Sequence, residues 1–266
     1  MNTERQFTEE LQLAEAAARE AGSIIMALFG KDYRIEQKGK NNPVTTADLE
    51  ANRRIREIIL GRYPEDAWLS EEDRDNLRRL NSRRVWVVDP IDGTREFIEG
   101  VPQFAVSIGL VLEGRSVLGV VYNPAEDQLY LAARGSGAQL NGQSVEVSSR
   151  KEVQGARLLV SRSEPRRKFQ PFAELCSVEP VGSIAYRLAM VAGGGGDGTL
   201  TFRSLREWDV CAGTLIVEEA GGVVTDGRGK ALVFNREDPV FNGIVASNRM
   251  LSPVLQSMWL ESMAQK

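Results

Sequence analysis

Asp89-Pro90-Ile91-Asp92-Gly93-Thr94 comes directly after the apolar run Val85-Trp86-Val87-Val88, so two carboxylates lie three residues apart where a strand meets a turn. Pro90 fixes φ and removes a donor, and Gly93 can take a positive φ. The loop can therefore fold both acids and the Ile91 carbonyl toward one point. Oxygen-only ligands suit Mg²⁺ or Mn²⁺. The same dipeptides, Asp-Pro and Asp-Gly, also serve simply as turn formers that close a strand, and the hexapeptide alone leaves both readings open. An aspartyl-phosphate mechanism of the Asp-x-Asp-Gly-Thr type is a third candidate. It fails on spacing, because acids three residues apart fall on different sides of an extended chain.

Composition narrows the chemistry. The chain has 266 residues and no histidine, which removes histidine triads, phosphohistidine intermediates and imidazole-bound metal centres. Acid–base work must then come from carboxylates, hydroxyls, lysines or water on a metal. A hydrophobic fraction of 42% with 26% charged residues is ordinary globular composition, enough for a large core or two coupled ones. The net charge of −4 and pI of about 5.3 argue against nucleic acid held by bulk electrostatics. Cys176 and Cys211 have neither metal-ligand spacing nor disulfide density, so reduced buried thiols and a cytoplasmic setting are expected. Met1 to Glu10 is polar and acidic, without the apolar core of a signal peptide. The longest apolar stretch, Phe104 to Leu112, is too short to span a bilayer, so no membrane partner is expected.

The elements that must position these residues are set by periodicity. Leu11, Ala14, Ala18, Ala21, Ile25 and Leu28 recur at helical steps, with Thr8 as candidate N-cap and Gly30 beyond the end. After a polar connection, Thr45-Thr46-Ala47-Asp48 opens a second helix through Ile55, Ile58 and Ile59. Asp48 there is explained equally well as a first-turn cap. Ala67-Trp68-Leu69 reads as a short strand entering the acidic run Ser70-Glu71-Glu72-Asp73, which as a sequence feature is an ordinary solvated loop. Phe104 to Leu112, Val117 to Asn123 and Gln128 to Ala133 predict an antiparallel meander, extended by Gln139 and an Asn141-Gly142 turn.

Beyond residue 150 the pattern alternates. Strands are expected at Arg157 to Ser161, Thr199 to Phe202, Val223-Val224 and Phe241 to Ala246. Helices are expected near Pro165 to Leu175, at Ser183 to Val191, from Asp209 to Ala220 and from Ser252 onward. Gly193 to Gly196 is accounted for as a loop at a helix C-terminus. The pattern predicts an α/β (α+β) protein of two subdomains sharing one interface. Residues 1–148 form an N-terminal α+β part with the metal-binding loops, and 149–266 a C-terminal α/β part that completes the site.

Asp48, Glu71, the Asp89 loop and Asp209 each have a bland explanation as caps or loop acids, yet together they are four acidic sites at the ends of elements. With Val44-Thr45-Thr46-Ala47-Asp48, Ser70-Glu71-Glu72-Asp73, Trp86 to Thr94, Trp208-Asp209-Val210-Cys211-Ala212-Gly213 and Glu219-Ala220-Gly221-Gly222 in this order, the chain resembles the inositol monophosphatase superfamily, the lithium-sensitive Mg²⁺-dependent phosphatases. The resemblance covers nearly the whole chain. It implies a layered α/β/α/β/α fold with the active site between subdomains, and family members that occur as monomers and homodimers.

By position, the resemblance implies that Glu71, Asp89 and the Ile91 carbonyl hold one Mg²⁺, and that Asp89, Asp92 and Asp209 hold a second. Asp89 bridges the two, and a third ion is compatible with the pattern. Two such ions about 3.5–4 Å apart can clamp the attacking and leaving oxygens of a phosphoryl displacement. The resemblance also implies that Thr94, with Asp48 and assisted by Glu71, orients and deprotonates the attacking water. The Gly93 and Thr94 N–H groups would receive phosphate oxygens, with Ser183, Arg162 and Asp209 as further substrate contacts.

The three residues after Asp-Gly-Thr bear on the substrate. Arg95-Glu96-Phe97 is similar to the Lys-Glu-Phe of the 3'(2'),5'-bisphosphate nucleotidase branch, and differs from the Thr-Asn-Phe typical of inositol phosphatases. Ser161-Arg162-Ser163-Glu164 is similar to the nucleotidase Ser-Arg-Ser-His, with Glu164 in place of the histidine. Phe202 stands seven residues before Asp209, where inositol phosphatases carry a substrate-contacting Glu. Arg162, Arg166, Arg167 and Lys168 are near enough in sequence to serve an uncleaved phosphate, and equally fit a solvated basic face. Gly182-Ser183-Ile184-Ala185 departs from the nucleotidase pattern. The expected substrate is a small phosphorylated metabolite, first adenosine 3',5'-bisphosphate, giving AMP and phosphate. Inositol 1-phosphate or a sugar bisphosphate is the alternative, and a binding role with the transcription or ribosome-assembly machinery is the alternative of another class.

Overall fold

The computed structural model describes residues 7–39 and 42–264; the first six residues of the polar N-terminal stretch lie outside them. The elements run α1 (Thr8–Leu28), β1 (Ile35–Gly39), β2 (Asn42–Thr45), α2 (Thr46–Arg62), β3 (Ala67–Ser70), β4 (Arg84–Asp92), α3 (Thr94–Ile98), β5 (Ala105–Leu112), β6 (Arg115–Asn123), β7 (Gln128–Ala133), β8 (Ala138–Leu140) and β9 (Gln143–Val145). Then come β10 (Arg157–Ser161), α4 (Gln170–Ala173), β11 (Ser177–Val181), α5 (Ile184–Ala192), β12 (Gly198–Arg206), α6 (Glu207–Glu219), β13 (Gly222–Asp226), β14 (Val240–Asn248) and α7 (Ser252–Ala264).

Seven strands form one sheet in the order β3-β4-β5-β6-β7-β8-β9, parallel between β3 and β4 and antiparallel elsewhere. The predicted meander is its centre, and Asn141 and Gly142, both at positive φ, make the β8–β9 turn. Five strands form a second sheet, β11-β10-β12-β14-β13. The alternation along β4 shows how the layers stack. Trp86 and Val88 join α1 and α2 in one core, whereas Val85 and Val87 join α5, α6 and the second sheet in another. A third core sets Leu200 and Val245 of the second sheet against Leu255 and Trp259 of α7. The five expected layers α/β/α/β/α are all present. Among the described residues no helix is long and apolar enough to cross a membrane.

The structure departs from the periodicity reading in five places. The polar connection after α1 contains the β1–β2 hairpin, whose first strand is exposed along its whole length and so carries no alternation. Strand β11, an edge strand holding Pro180, likewise gives no signal in the sequence. The N-cap of α1 is Phe7, and Thr8 is already helical. The helix expected over Pro165 to Leu175 is a 3₁₀ turn, Arg166–Phe169, followed by the single turn of α4. Strand β4 does not stop at Val88: it continues through a register shift between Asp89 and Asp92, so both acids belong to the strand's bulged end.

Close packing between the layers fixes where the site acids fall. Helix α6 lies so near the seven-stranded sheet that a Cβ on Gly119 of β6 would stand 2.5 Å from the Ala212 carbonyl oxygen. That contact seats the N-terminus of α6, and Asp209 with it, beside the end of β4.

Candidate active site

A cavity of about 380 Å³ opens where the two sheets meet α5 and α6. Glu71, Asp89, Ile91, Asp92, Gly93, Thr94, Ser183 and Asp209 line it, so the chain brings together most of the residues expected from sequence. Asp48 stands behind this wall and reaches it through Thr94. The Thr94 hydroxyl lies 3.0 Å from Asp48 Oδ1 and 3.1 Å from the Ile91 carbonyl, and its single proton serves one acceptor at a time.

The capping and functional readings turn out to coexist. Asp48 is the third residue of α2 and closes a capping box, its Oδ2 accepting from the Thr45 N–H at 2.7 Å and the Thr45 hydroxyl at 2.6 Å. Its other oxygen is left for Thr94. Asp209 caps α6 in the same way, accepting from the Arg206 N–H at 2.7 Å. Asp89 Oδ1 accepts from the Ile91 N–H at 3.0 Å, which folds the bulge back on itself. Asp92 Oδ2 accepts from the Ser183 hydroxyl and the Ala185 N–H, both at 2.6 Å, at the start of α5.

Gly93 links the acids to α3 at φ 100°, and a Cβ there would meet the Gln103 carbonyl oxygen at 3.0 Å. Glu96 is buried beneath Gly182, where a Cβ would stand 2.4 Å from its Cγ, and Gly182 donates its N–H to Gln103 Oε1 at 2.9 Å. Thus the residue after Arg95 in the substrate-reading motif also packs α3 against the entry to α5.

Burial pushes the Asp89 carboxyl well above its ordinary range, and the neighbouring Glu71, Asp92 and Asp209 push it further. Asp209 is raised by burial and then by Asp92 and Glu71. Asp92 is raised chiefly by burial, with Ser183, Ala185 and Arg187 pulling it back. Asp48 is raised by burial against the hydrogen bonds from Thr45 and Thr94. Acids gathered in this way repel one another unless a cation or protons offset them. Their all-oxygen chemistry and mutual repulsion fit a divalent metal such as Mg²⁺. Among the described residues, however, no three acids close on one point as a finished cage. Each is turned to a protein donor instead, and Glu71 faces Lys38, 2.8 Å away.

Two expected substrate contacts stand differently from the sequence reading. Arg162 does not line the cavity. It lies 3.5 Å from Glu96 and 3.2 Å from Glu99 and edges a neighbouring cavity of about 720 Å³ with Arg166 and Arg167. Sequence proximity to Ser161 is misleading because the chain turns away at the end of β10. Ser183 does line the cavity, but its hydroxyl donates to Asp92 and accepts from the Tyr186 N–H, so it holds Asp92 and caps α5.

Sequence reasoning missed Arg187, Arg203, Thr201 and Lys38, and it left Glu164 without a role. Arg187 is buried on α5 at the cavity wall, its Nη1 donating to the Val181 carbonyl while Nε has no partner. Burial pulls its guanidinium down to about 10, against the attraction of Asp92, Glu164 and Glu96. A charge in the otherwise apolar run Ile184 to Ala192 was the available signal. Glu164, also buried, accepts from the Thr201 hydroxyl and, at 3.1 Å, from the Phe202 N–H, which clamps β12. Phe202 turns to the outer core and stacks on Trp259, with centroids 5.4 Å apart and planes at 14°. Thr201 and Arg203 on either side of it line the cavity.

Known proteins resemble the chain in sequence and in fold. The chain is 37% identical over 230 residues to the Nus factor SuhB of Escherichia coli (strain K12), covering 82% of this chain and 85% of that one. It is 36% identical over 226 residues to the fructose-1,6-bisphosphatase/inositol-1-monophosphatase of Aquifex aeolicus, covering 81% and 84%. Among solved structures, the extragenic suppressor protein suhB from Bartonella henselae superposes with a TM-score of 0.86 at 31% identity, over 95% of this chain and 98% of that one. The inositol monophosphatase from Anabaena (Nostoc) sp. PCC 7120 gives 0.80 at 30% identity, over 96% of each. The family model for the inositol monophosphatase family matches residues 7–265, and with this fold, this acidic cavity and these relatives the chain belongs to that family.

Proposed function

We propose that the chain is a Mg²⁺-dependent phosphomonoesterase acting on a small phosphorylated metabolite. The observation that carries the reading is the Thr94 hydroxyl, 3.0 Å from the buried Asp48 and on the same cavity wall as Glu71, Asp89, Asp92 and Asp209. Mg²⁺, when bound, supplies charge neutralisation of the phosphate and acidification of water. Glu71, Asp89, Asp92, Asp209 and the Ile91 carbonyl would hold it. When Thr94 donates to Asp48, its lone pairs face the cavity and can orient a water, and the raised proton affinity of Asp48 suits it to receive the proton passed through Thr94. The Gly93 and Thr94 backbone, at the start of α3, then faces the phosphate.

For the ester itself, we propose 3'(2'),5'-bisphosphate nucleotidase, with inositol monophosphatase or sugar bisphosphatase, which the relatives support, as the alternative. It is supported by Arg95-Glu96 and by Phe202, which faces the outer core and leaves Arg203 at the cavity. The buried free thiols of Cys176 and Cys211 support a cytoplasmic setting. Phosphate release with Mg²⁺, with and without lithium, compared across adenosine 3',5'-bisphosphate, inositol 1-phosphate and fructose 1,6-bisphosphate, tests the assignment. The bisphosphonucleoside should have the highest kcat/KM; preference for inositol 1-phosphate overturns the ranking.

A second reading, a binding role with transcription machinery, is favoured by one observation, the 37% identity to a protein named as a Nus factor. Association with transcription complexes that persists without metal-dependent turnover would support it.

A further inference from the structure

The cavity holds cationic as well as acidic side chains. Arg187, Arg203, Ser161, Ser163 and Thr201 line it together with the acids and Thr94. Arg203 Nη1 donates to Ser163 Oγ at 2.7 Å, and Ser163 Oγ lies 3.1 Å from Ser161 Oγ. Among the described residues neither Arg187 nor Arg203 forms an ion pair, although many arginines elsewhere do. The two are near enough for Arg203 to disfavour the charge on Arg187. Asp92, Glu164 and Glu96 attract the Arg187 guanidinium, yet its buried Nε has no hydrogen-bond partner, and a buried donor of this kind is costly until an acceptor meets it.

We propose that Arg187 and Arg203 seat a second anionic group of the substrate, phosphate or carboxylate, so that the preferred ester carries two anionic groups and is not a phosphorylated neutral polyol. This rests on the phosphomonoesterase reading and moves the cationic contact away from Arg162. Guanidinium forks and hydroxyls suit both oxyanions. Glu164 is the positioning residue behind the seat: by accepting from Thr201 and the Phe202 N–H it holds β12 so that Phe202 faces Trp259 and Arg203 faces the cavity. The scissile phosphate then lies toward Thr94 and the second anion toward α5, which gives the ester one direction of binding.

The test compares esters that share a scissile bond and differ in the second group. Adenosine 3',5'-bisphosphate is set against adenosine 3'-monophosphate, and 3-phosphoglycerate against its carboxamide. In at least one pair the doubly anionic ester should have a kcat/KM about 10- to 100-fold higher. Arg203→Met should remove most of that preference mainly through KM, and Arg203→Lys should restore part of it. Arg203 is exposed on β12, so its variants keep the test open even where Arg187→Met fails to fold. The pair that shows the preference identifies the anion. Equal kcat/KM within both pairs, or loss of both members of a pair by one factor in Arg203→Met, overturns the proposal. Should no ester turn over, the phosphomonoesterase reading fails by itself. Calorimetric titration of the same pairs in Mg²⁺ then decides the anion seat: tighter binding of the doubly anionic member, lost in Arg203→Met, supports it, and equal binding overturns it.

Discussion

Lys38 Nζ on the β1–β2 hairpin lies 2.8 Å from Glu71 Oε1 and 2.7 Å from Glu72 Oε1, a single ammonium shared by two adjacent acids, of which Glu71 lines the cavity. Glu71 is therefore held by an internal cation at the position where the family resemblance implies a metal ligand. Burial pushes the neighbouring Glu72 up to about 7, with Lys38 pulling the other way.

Ligation by Glu71 must give up that ion pair. Lys38→Met should lower the Mg²⁺ concentration for half-maximal activity by about two- to fivefold, the range of a partly exposed ion pair. A Mg²⁺ activation curve measures it, and an unchanged or higher midpoint would show that Lys38 does not compete.

Asp89 tests both metal dependence and pH dependence. Asp89→Asn should abolish Mg²⁺-dependent phosphate release while far-UV circular dichroism stays native. Because Asp89 is raised in the folded chain, the folded state binds more protons than the unfolded one, so the stability associated with its protonated form is present at low pH and lost as pH rises. In EDTA, Asp89→Asn should therefore melt above the wild type, by a margin that is larger at about pH 8 than at about pH 5. Mg²⁺ should raise the wild-type Tm more than that of the variant. A margin that shrinks with pH would contradict the electrostatic account.

The Thr94 hydroxyl is expected to act in turnover more than in binding. Thr94→Val keeps the shape and removes the contact to Asp48, and should lower kcat by about 100-fold or more with little change in KM. Thr94→Ser should recover most of the rate. Equal losses in the Val and Ser variants would point to packing of the methyl group instead.

Gly119 is remote from the chemistry but sets the distance between α6 and β6. Gly119→Ala places a methyl against the Ala212 backbone and should cost about 2–3 kcal/mol, read from urea denaturation. Activity should fall further than stability alone explains, since Asp209 rides on α6. A variant with wild-type stability would mean that the layers can separate without cost.

Legibility from sequence tracked burial. Strand β4, the β5–β7 meander and helices α1, α2, α5 and α6 carry apolar periodicity because each packs on a core, and they are legible nearly to their ends. Strand β1 is not, because it is exposed throughout, and β11 is masked by its edge position and Pro180. The acids that line or back the cavity are legible where they sit at the ends of elements, as with Asp48, Asp89, Asp92 and Asp209. Arg162 lies off the cavity that its neighbours Ser161 and Ser163 line, because its guanidinium reaches toward Glu96 on α3 and Glu99 just beyond it, a placement that depends on tertiary packing.

The sequence by itself determined which chemistry is available: with no histidine and with carboxylates at the starts of helices and the end of β4, acid–base work is left to carboxylates, hydroxyls, lysines or water on a metal. Only the tertiary structure decided how those groups are used. It showed that Asp48 caps α2 with one oxygen and meets Thr94 with the other, that Ser183 serves Asp92, and that Arg187 and Arg203 line the same cavity as the acids. The reason is physical. Residue type sets what a side chain can donate, accept or charge, whereas its partners depend on which layers pack together, and segments distant in sequence supply the two sides of the Asp92–Ser183 and Asp48–Thr94 contacts.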